Sequence, residues 1–254
     1  MTTLLLKLVL TPAVMVAATL AGRRWGGAVS GWLVGLPLTS GPLVFVLTLE
    51  HGRRFAGRTA VGSLSGAIAE AAFCVGYALA PRAPLVAASL GFAAAAVAVH
   101  AAPLALLLPL VPAVLVAALL LLPPFPARTE TSVRAPRWDL PARAVVATAV
   151  VLVLTAAATT IGARLTGLLA VYPLYSAVLA TFARRLEGRA AAAGLLRGLL
   201  IGLFSFAAFY SALGLLLPRI GTAGAFASAI AAALCVQAAS LGRVRVSGAA
   251  AAQS

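Results

Sequence analysis

The sequence predicts an all-α, polytopic transmembrane helix bundle of about nine spans, arranged as two inverted-topology repeats with five spans in the first and four in the second. Three observations carry that expectation: a composition that a water-facing fold could not bury, a succession of membrane-length apolar runs, and an internal match between the two halves. Of the 254 residues, 63% are apolar and 9% are charged, against about 45–50% and about 25% in soluble domains. So few polar residues cannot cover a domain of this size, and lipid is the expected solvent.

Apolar runs ended by Arg, Gly or Pro place spans near 4–21, 28–49, 60–80, 84–100, 103–122, 143–160, 164–183, 194–216 and 220–240. Most approach the roughly 20 residues that a hydrocarbon core requires. The run from Pro84 to Leu122 would be about 58 Å long as one helix, so it divides near His100, Ala101 and Pro103. Residues 123–142, PPFPARTETSVRAPRWDLPA, combine prolines with mixed charge and read as a solvated linker. The expected organisation is a first membrane repeat at 1–122, a cytoplasmic linker at 123–142, a second membrane repeat at 143–242 and a short polar tail at 243–254. The first run lacks a basic leading segment and is kept as a span rather than read as a cleaved signal.

A net charge of +14 would suggest nucleic acid in a soluble protein. Here the basic residues fall in short clusters between apolar runs, which reads as topology control, and no nucleic acid partner is expected. On the predicted spans, thirteen Lys and Arg residues lie on the linker side and six on the other. That distribution places the linker and C-terminus in the cytoplasm and the N-terminus outside. Arg53, Arg54 and Arg58 run against the assignment. Cys74 and Cys235 sit in apolar runs, where a cysteine behaves as a small hydrophobe.

Sliding the chain by 136 residues lays GWLVGLPLTSGPL, which begins at Gly31, over GLLAVYPLYSAVL, which begins at Gly167. The register continues without a gap, matching Gly52-Arg53 with Gly188-Arg189, Gly62 and Gly66 with Gly198 and Gly202, and Ala71-Ala72-Phe73 with Ala207-Ala208-Phe209. From Gly31 to Tyr77, 15 of 47 positions are identical, an internal repeat by its first test. Five preceding spans would bring the second copy into the membrane from the opposite side.

The matched prolines, Pro37 and Pro173, each remove a backbone donor and clash with the preceding turn, which leaves polar backbone unsatisfied in lipid. Thr39 and Ser40 follow the first; Tyr172, Tyr175 and Ser176 surround the second. Their hydroxyls can either satisfy freed carbonyls or face a cavity and bind substrate. The GxxxG pairs at Gly62 and Gly66 and at Gly198 and Gly202 read as close helix packing. They make the third and eighth spans interior, which directs attention to Glu70, the one acid of five that lies deep in an apolar run. A carboxylate there must be paired, reached by water or protonated, and it serves either as a coupling or substrate site or as a structural hydrogen-bond acceptor. Its counterpart in the second copy is Phe206.

No Walker-type loop, HExxH or CxxC pattern occurs, so neither ATP hydrolysis nor a metal or other cofactor is expected, and the chain is not read as an enzyme. The segment RRWGGAVSGWLVGLPLTSGPLVFVLTLEHG resembles the GlpM-like small bacterial membrane proteins, whose proline-containing second span has a similar Gly-Leu-Pro core. That resemblance covers one module, with the second half a divergent further copy, and it implies a fold rather than an activity. The five-plus-four plan is also similar to the drug/metabolite transporter superfamily, whose larger members have five-plus-five spans.

The expected function is secondary transport, a proton-coupled export of a small organic or amphipathic molecule. Glu70, Pro37, Thr39, Ser40, Tyr172, Pro173, Tyr175 and Ser176 would line one central path. The alternative is a non-transporting membrane assembly factor or complex subunit, in which prolines and glycines serve packing alone. The expected partners are the bilayer and the small-molecule substrate, and a homodimer is the assembly to test for.

Overall fold

A computed structural model describes residues 27–38, 40–122, 162–186 and 188–250, with isolated positions between 141 and 160. Among the described residues every regular element is a helix: α1 Gly27–Val34, α2 Ser40–Leu79, α3 Pro84–Val99, α4 Leu104–Leu121, α5 Ala163–Leu169, α6 Leu174–Leu186 and α7 Arg189–Ala250. The expected span at 4–21, nearly all of the linker and most of the expected span at 143–160 lie outside the described residues. Ser40–Leu79, Leu104–Leu121 and Arg189–Ser240 are each long and apolar enough to cross a membrane, and Pro84–Val99 is a shorter apolar helix. Helix α7 continues to Ala250, into the stretch expected as a polar tail, because that stretch is rich in alanine, the strongest helix former.

Helices α2 and α7 are each two arms joined at one glycine. Gly52 (φ 81°, ψ 171°) and Gly221 (φ 79°, ψ 179°) adopt a backbone region open essentially to glycine alone. The chain reverses there. Phe209 and Phe226 would lie about 25 Å apart along one straight helix, yet their ring centroids are 6.3 Å apart, and Ser205 bonds Gln237 across the same turn. Likewise the hydroxyls of Ser40 and Ser63 both flank the Tyr210 hydroxyl, so arms 40–51 and 53–79 fold back on one another.

Before each first arm the chain breaks in the same way. Leu36 N–H donates to Leu33 O (3.1 Å) and Tyr172 N–H to Leu169 O (3.1 Å), each tightening the last turn of a short helix. After the break Pro37 O accepts from Gly41 N–H (2.8 Å) and Pro173 O from Ala177 N–H (2.8 Å), starting the next helix. The two sets are 136 residues apart, the shift that aligns the halves of the sequence. The predicted spans 28–49 and 164–183 are therefore not single helices: each is a short helix, a proline break and a second helix.

Glycines set how closely these pieces pack. A Cβ on Gly31 would collide with Leu195 O and Leu199 N of α7, and a Cβ on Gly198 with Ala28 O of α1. In the other half a Cβ on Gly167 would collide with Thr59 O and Ser63 N of α2, and one on Gly62 with Arg164 O of α5. Every partner in the second set is the partner in the first moved by 136 positions with the halves exchanged. Gly66 against Leu168 O and Val171, and Gly202 against Trp32 O and Gly35, repeat the relation. Such small-residue seams bring helix backbones into contact where side chains would hold them apart.

Around this centre, Leu64, Phe73, Tyr77, Leu107, Leu115, Leu196, Leu199, Leu200 and Leu203 form the buried core. Helix α3 lies on α2 through Gly76 and Gly91, which approach Ala87 O and Ala72 O. Helix α4 buries Leu107, Val111 and Leu115 and turns Leu106, Val116, Leu120 and Leu121 outward. Arginines tie helix ends together: Arg164 donates to His100 O (3.0 Å), Arg184 to Pro81 O (2.6 Å), and Arg197 to Leu119 O (2.8 Å) and Leu122 O (3.0 Å). Cations at helix C-termini complement exposed carbonyls and the negative end of the dipole, so part of the +14 charge serves the fold. Arg53 reaches the Gly221 turn, its Nη1 3.8 Å from where a Cβ on Gly221 would stand.

Candidate functional site

The deep polar groups gather where the two long arms, 53–79 and 189–220, meet the starts of the helices that follow the proline breaks. Arm 53–79 is lined on its buried face by small residues from Ala56 to Ala71, and this lets α5 lie close to it. Glu70 sits on that face and is 6% exposed. Ser176, in the first turn of α6 just past Pro173, donates its hydroxyl to Glu70 Oε1 at 3.4 Å. Cys74 lies one turn further along, fully buried and within the field of the carboxylate.

The equivalent place in the other half has different chemistry. Ser40, the counterpart of Ser176, opens α2 and is 4% exposed. It faces Tyr210, the counterpart of Cys74, while Phe206 stands where Glu70 stands in the first half and packs on the Tyr210 ring with centroids 4.5 Å apart. Tyr210 is fully buried, and its hydroxyl lies beside Ser40 and Ser63 without a well-formed hydrogen bond among the described residues. Ser63 donates to Gly167 O at 3.3 Å, pinning α5 to the long arm.

Ser176 thus meets Glu70 in one half and Ser40 lies beside Tyr210 in the other, with Pro173 buried and Pro37 half-buried at the breaks just before them. Tyr172 is part of neither group: 41% exposed, it turns outward and meets Phe92 edge to face with centroids 5.1 Å apart. An aromatic beside a proline break can anchor on either surface of the helix, and here the outer one prevails. Thr39 and the side chain of Tyr175 lie outside the described residues.

Of the partners the sequence offered Glu70, Ser63 and Ser65 instead bond Gly167 O and Val99 O, and the neighbouring helix supplies Ser176; Tyr210 was missed as a member of the centre. Tyr210 had a signal, since it lies one helical turn after Phe206, the counterpart of Glu70. A second buried network was also missed: Ser205 donates to Gln237 Oε1, Gln237 Nε2 to Trp32 O (3.2 Å), Trp32 Nε1 to Ser240 Oγ (2.8 Å) and Ser240 Oγ to Gln237 O (2.9 Å). It locks α1 onto both arms of α7. Its signal was the lone amide in the run AALCVQAAS.

Chemically, the centre can hold one proton on Glu70 and offer hydroxyl groups to a ligand. Among the described residues no three His, Cys, Asp or Glu side chains cluster as a metal ion would require. Comparison with family models, curated proteins and solved structures finds no match to this chain.

Proposed function

We propose that this chain is a secondary transporter of the bacterial inner membrane, a proton-coupled exporter of a small organic or amphipathic molecule, built from two inverted repeats of five and four spans. The observation that carries the reading is the exchanged seam: α1 packs on the second long arm as α5 packs on the first, in registers 136 residues apart. A contact that recurs with its two partners interchanged is the signature of a two-fold relation.

The direction of that relation is supported by the helix ends. Gly52 opens arm 53–79, whereas Arg184, just before the matching turn at Gly188, reaches Pro81 beyond the arm's far end. Equivalent turns thus sit at opposite ends of one arm, as inverted repeats require. In such transporters, helices interrupted near the midplane present their starts to the substrate. Glu70 would carry the coupling proton, and Ser176, at the start of α6, would sense its charge. The glycine seams alone would also suit a packed assembly factor, so the test must separate the two readings.

Single cysteines at positions 40 and 176, in a background with Cys74 and Cys235 replaced by Ala, are to be probed with a membrane-impermeant maleimide from each face of a proteoliposome. Transport predicts that each position is reached from opposite faces under opposite proton gradients. Absence of labelling from either face under every gradient favours the assembly factor. In Glu70→Gln, exchange flux persists while its response to a proton gradient disappears; a gradient response equal to that of the parent chain would remove Glu70 from the coupling role.

A further inference from the structure

We infer that the neighbouring turns at Gly52 and Gly221 form a binding site for the phosphate headgroup of an anionic phospholipid, held by Arg53, Arg54, Arg58 and Arg219. The inference goes beyond the transport reading and does not rest on it, since it concerns the rim of the protein and not its centre.

The way the chain turns assembles the site. Arg53 and Arg54 come directly after Gly52, and Arg219 stands two residues before Gly221. The turns are neighbours: Phe45 and Phe226, each within two helical turns of its glycine, meet edge to face with centroids 5.2 Å apart, and the Arg53 guanidinium crosses to the Gly221 turn. Arg58 follows Arg54 by one helical turn, on the same face of the arm. All four arginines are exposed. Beside them a Cβ on Gly57 would have nothing within 4 Å, so the surface is open there.

These charges have no structural duty that accounts for them. The arginines that tie helix ends to carbonyls are Arg164, Arg184 and Arg197, and none of the four is among them. Four of the six Lys and Arg residues on this predicted side of the membrane lie here, on the side that the charge bias leaves poorer in cations, so topology control does not explain them either. Arg53 and Arg54 also occupy the first turn of arm 53–79, where the helix dipole is already positive and an acid would be the favourable residue. Glu50 is the single acid beside the turns. A phosphate placed between the turns would relieve the repulsion and match the guanidinium forks.

Apolar surface next to the arginines selects a lipid over a free anion. Leu49 and Ile220, within one turn of the two glycines, are 55% and 52% exposed. They offer acyl chains a ledge directly beside the charges, and the arms they end are long and apolar enough to cross a membrane, which brings the turns to headgroup level.

The test titrates the full chain in dodecyl maltoside with dioleoylphosphatidylglycerol and counts bound lipid by native mass spectrometry. Dioleoylphosphatidylcholine and inorganic phosphate serve as the zwitterionic and the lipid-free comparison. Phosphatidylglycerol is expected to bind saturably, about tenfold or more tighter than phosphatidylcholine, and to resist displacement by millimolar phosphate. Arg54→Gln and Arg219→Gln each weaken that binding about fivefold and together about 25-fold. Arg82→Gln and Arg185→Gln, which alter exposed arginines away from the turns, leave it unchanged. Melting curves without lipid verify folding, and the pair Arg54→Lys and Arg219→Lys, which keeps the charge but loses the fork, binds between the parent and the glutamine pair. Equal binding of phosphatidylglycerol by the parent chain and the glutamine pair overturns the inference, as does equal affinity for the two lipids; displacement by phosphate overturns the choice of a lipid as occupant.

Discussion

Adding one methyl group to Gly31 or Gly167 tests the central architecture most directly. In Gly31→Ala the new carbon would overlap Leu195 O, and in Gly167→Ala it would overlap Thr59 O. The new contact would be 2.0 Å, whereas a carbon and a carbonyl oxygen rest comfortably at about 3.3–3.6 Å, so the two helices must part by about 1.3–1.6 Å along a seam that has no slack. Overpacking of this kind costs about 1–3 kcal/mol, while alanine in place of glycine returns up to about 1 kcal/mol of helix propensity. The net loss is about 1–2 kcal/mol, or about 2–8 °C in the melting midpoint at this chain length.

Two controls sharpen the comparison. Gly57 is helical with nothing within 4 Å, so Gly57→Ala raises the midpoint. Gly52 also has space around it but holds φ at 81°, so Gly52→Ala loses about 1–2 kcal/mol to strain alone. Pairing gives the decisive result. Gly31 and Gly198 share the α1–α7 seam, so once one methyl has parted the helices the second adds little, and the double variant loses less than the sum. Gly31 and Gly167 lie in different seams, and their losses add to within about 0.5 kcal/mol. Thermal unfolding of the purified full chain in detergent, followed by circular dichroism, measures all of these. Alanine tolerated at both positions, or additivity within one seam and coupling between seams, would refute the reciprocal packing.

Other perturbations follow from single contacts. Gln237→Leu leaves the Ser205 hydroxyl and the Trp32 carbonyl without their partner and lowers stability by about 1–3 kcal/mol; adding Ser205→Ala recovers part of that loss, read from the same melting curves. Arg197→Met unties the end of α4 at Leu119 and Leu122, so amide hydrogen exchange at that end accelerates. Arg197→Lys protects it only in part, since an ammonium lacks the guanidinium fork.

Helix placement was legible because glycine and proline punctuate this chain openly. The turns at Gly52 and Gly188 and the breaks after Leu33 and Leu169 all fall where the 136-residue alignment puts matched glycines and prolines. Glu70 was legible because an acid in an apolar run has few innocent explanations. What faces it was not, since serine and tyrosine hydroxyls look alike in sequence whether they bond their own helix or reach across. Tyr172 and Tyr210 illustrate this: the one beside the proline turns outward, and the one inside an apolar run supplies the unpaired hydroxyl of the centre. Arg53, which ran against the expected charge bias, lies beside the Gly221 turn, a local contact that no rule about membrane sides anticipates.

Joints of a single residue at Gly52 and Gly221 have a mechanical consequence. With no slack between them, the two rods of a hairpin cannot slide past each other; they can only tilt together, as a door leaf tilts with its hinge pin. A relative movement of the arms would therefore swing each hairpin as one piece, hinged about the glycine seams where backbone lies on backbone.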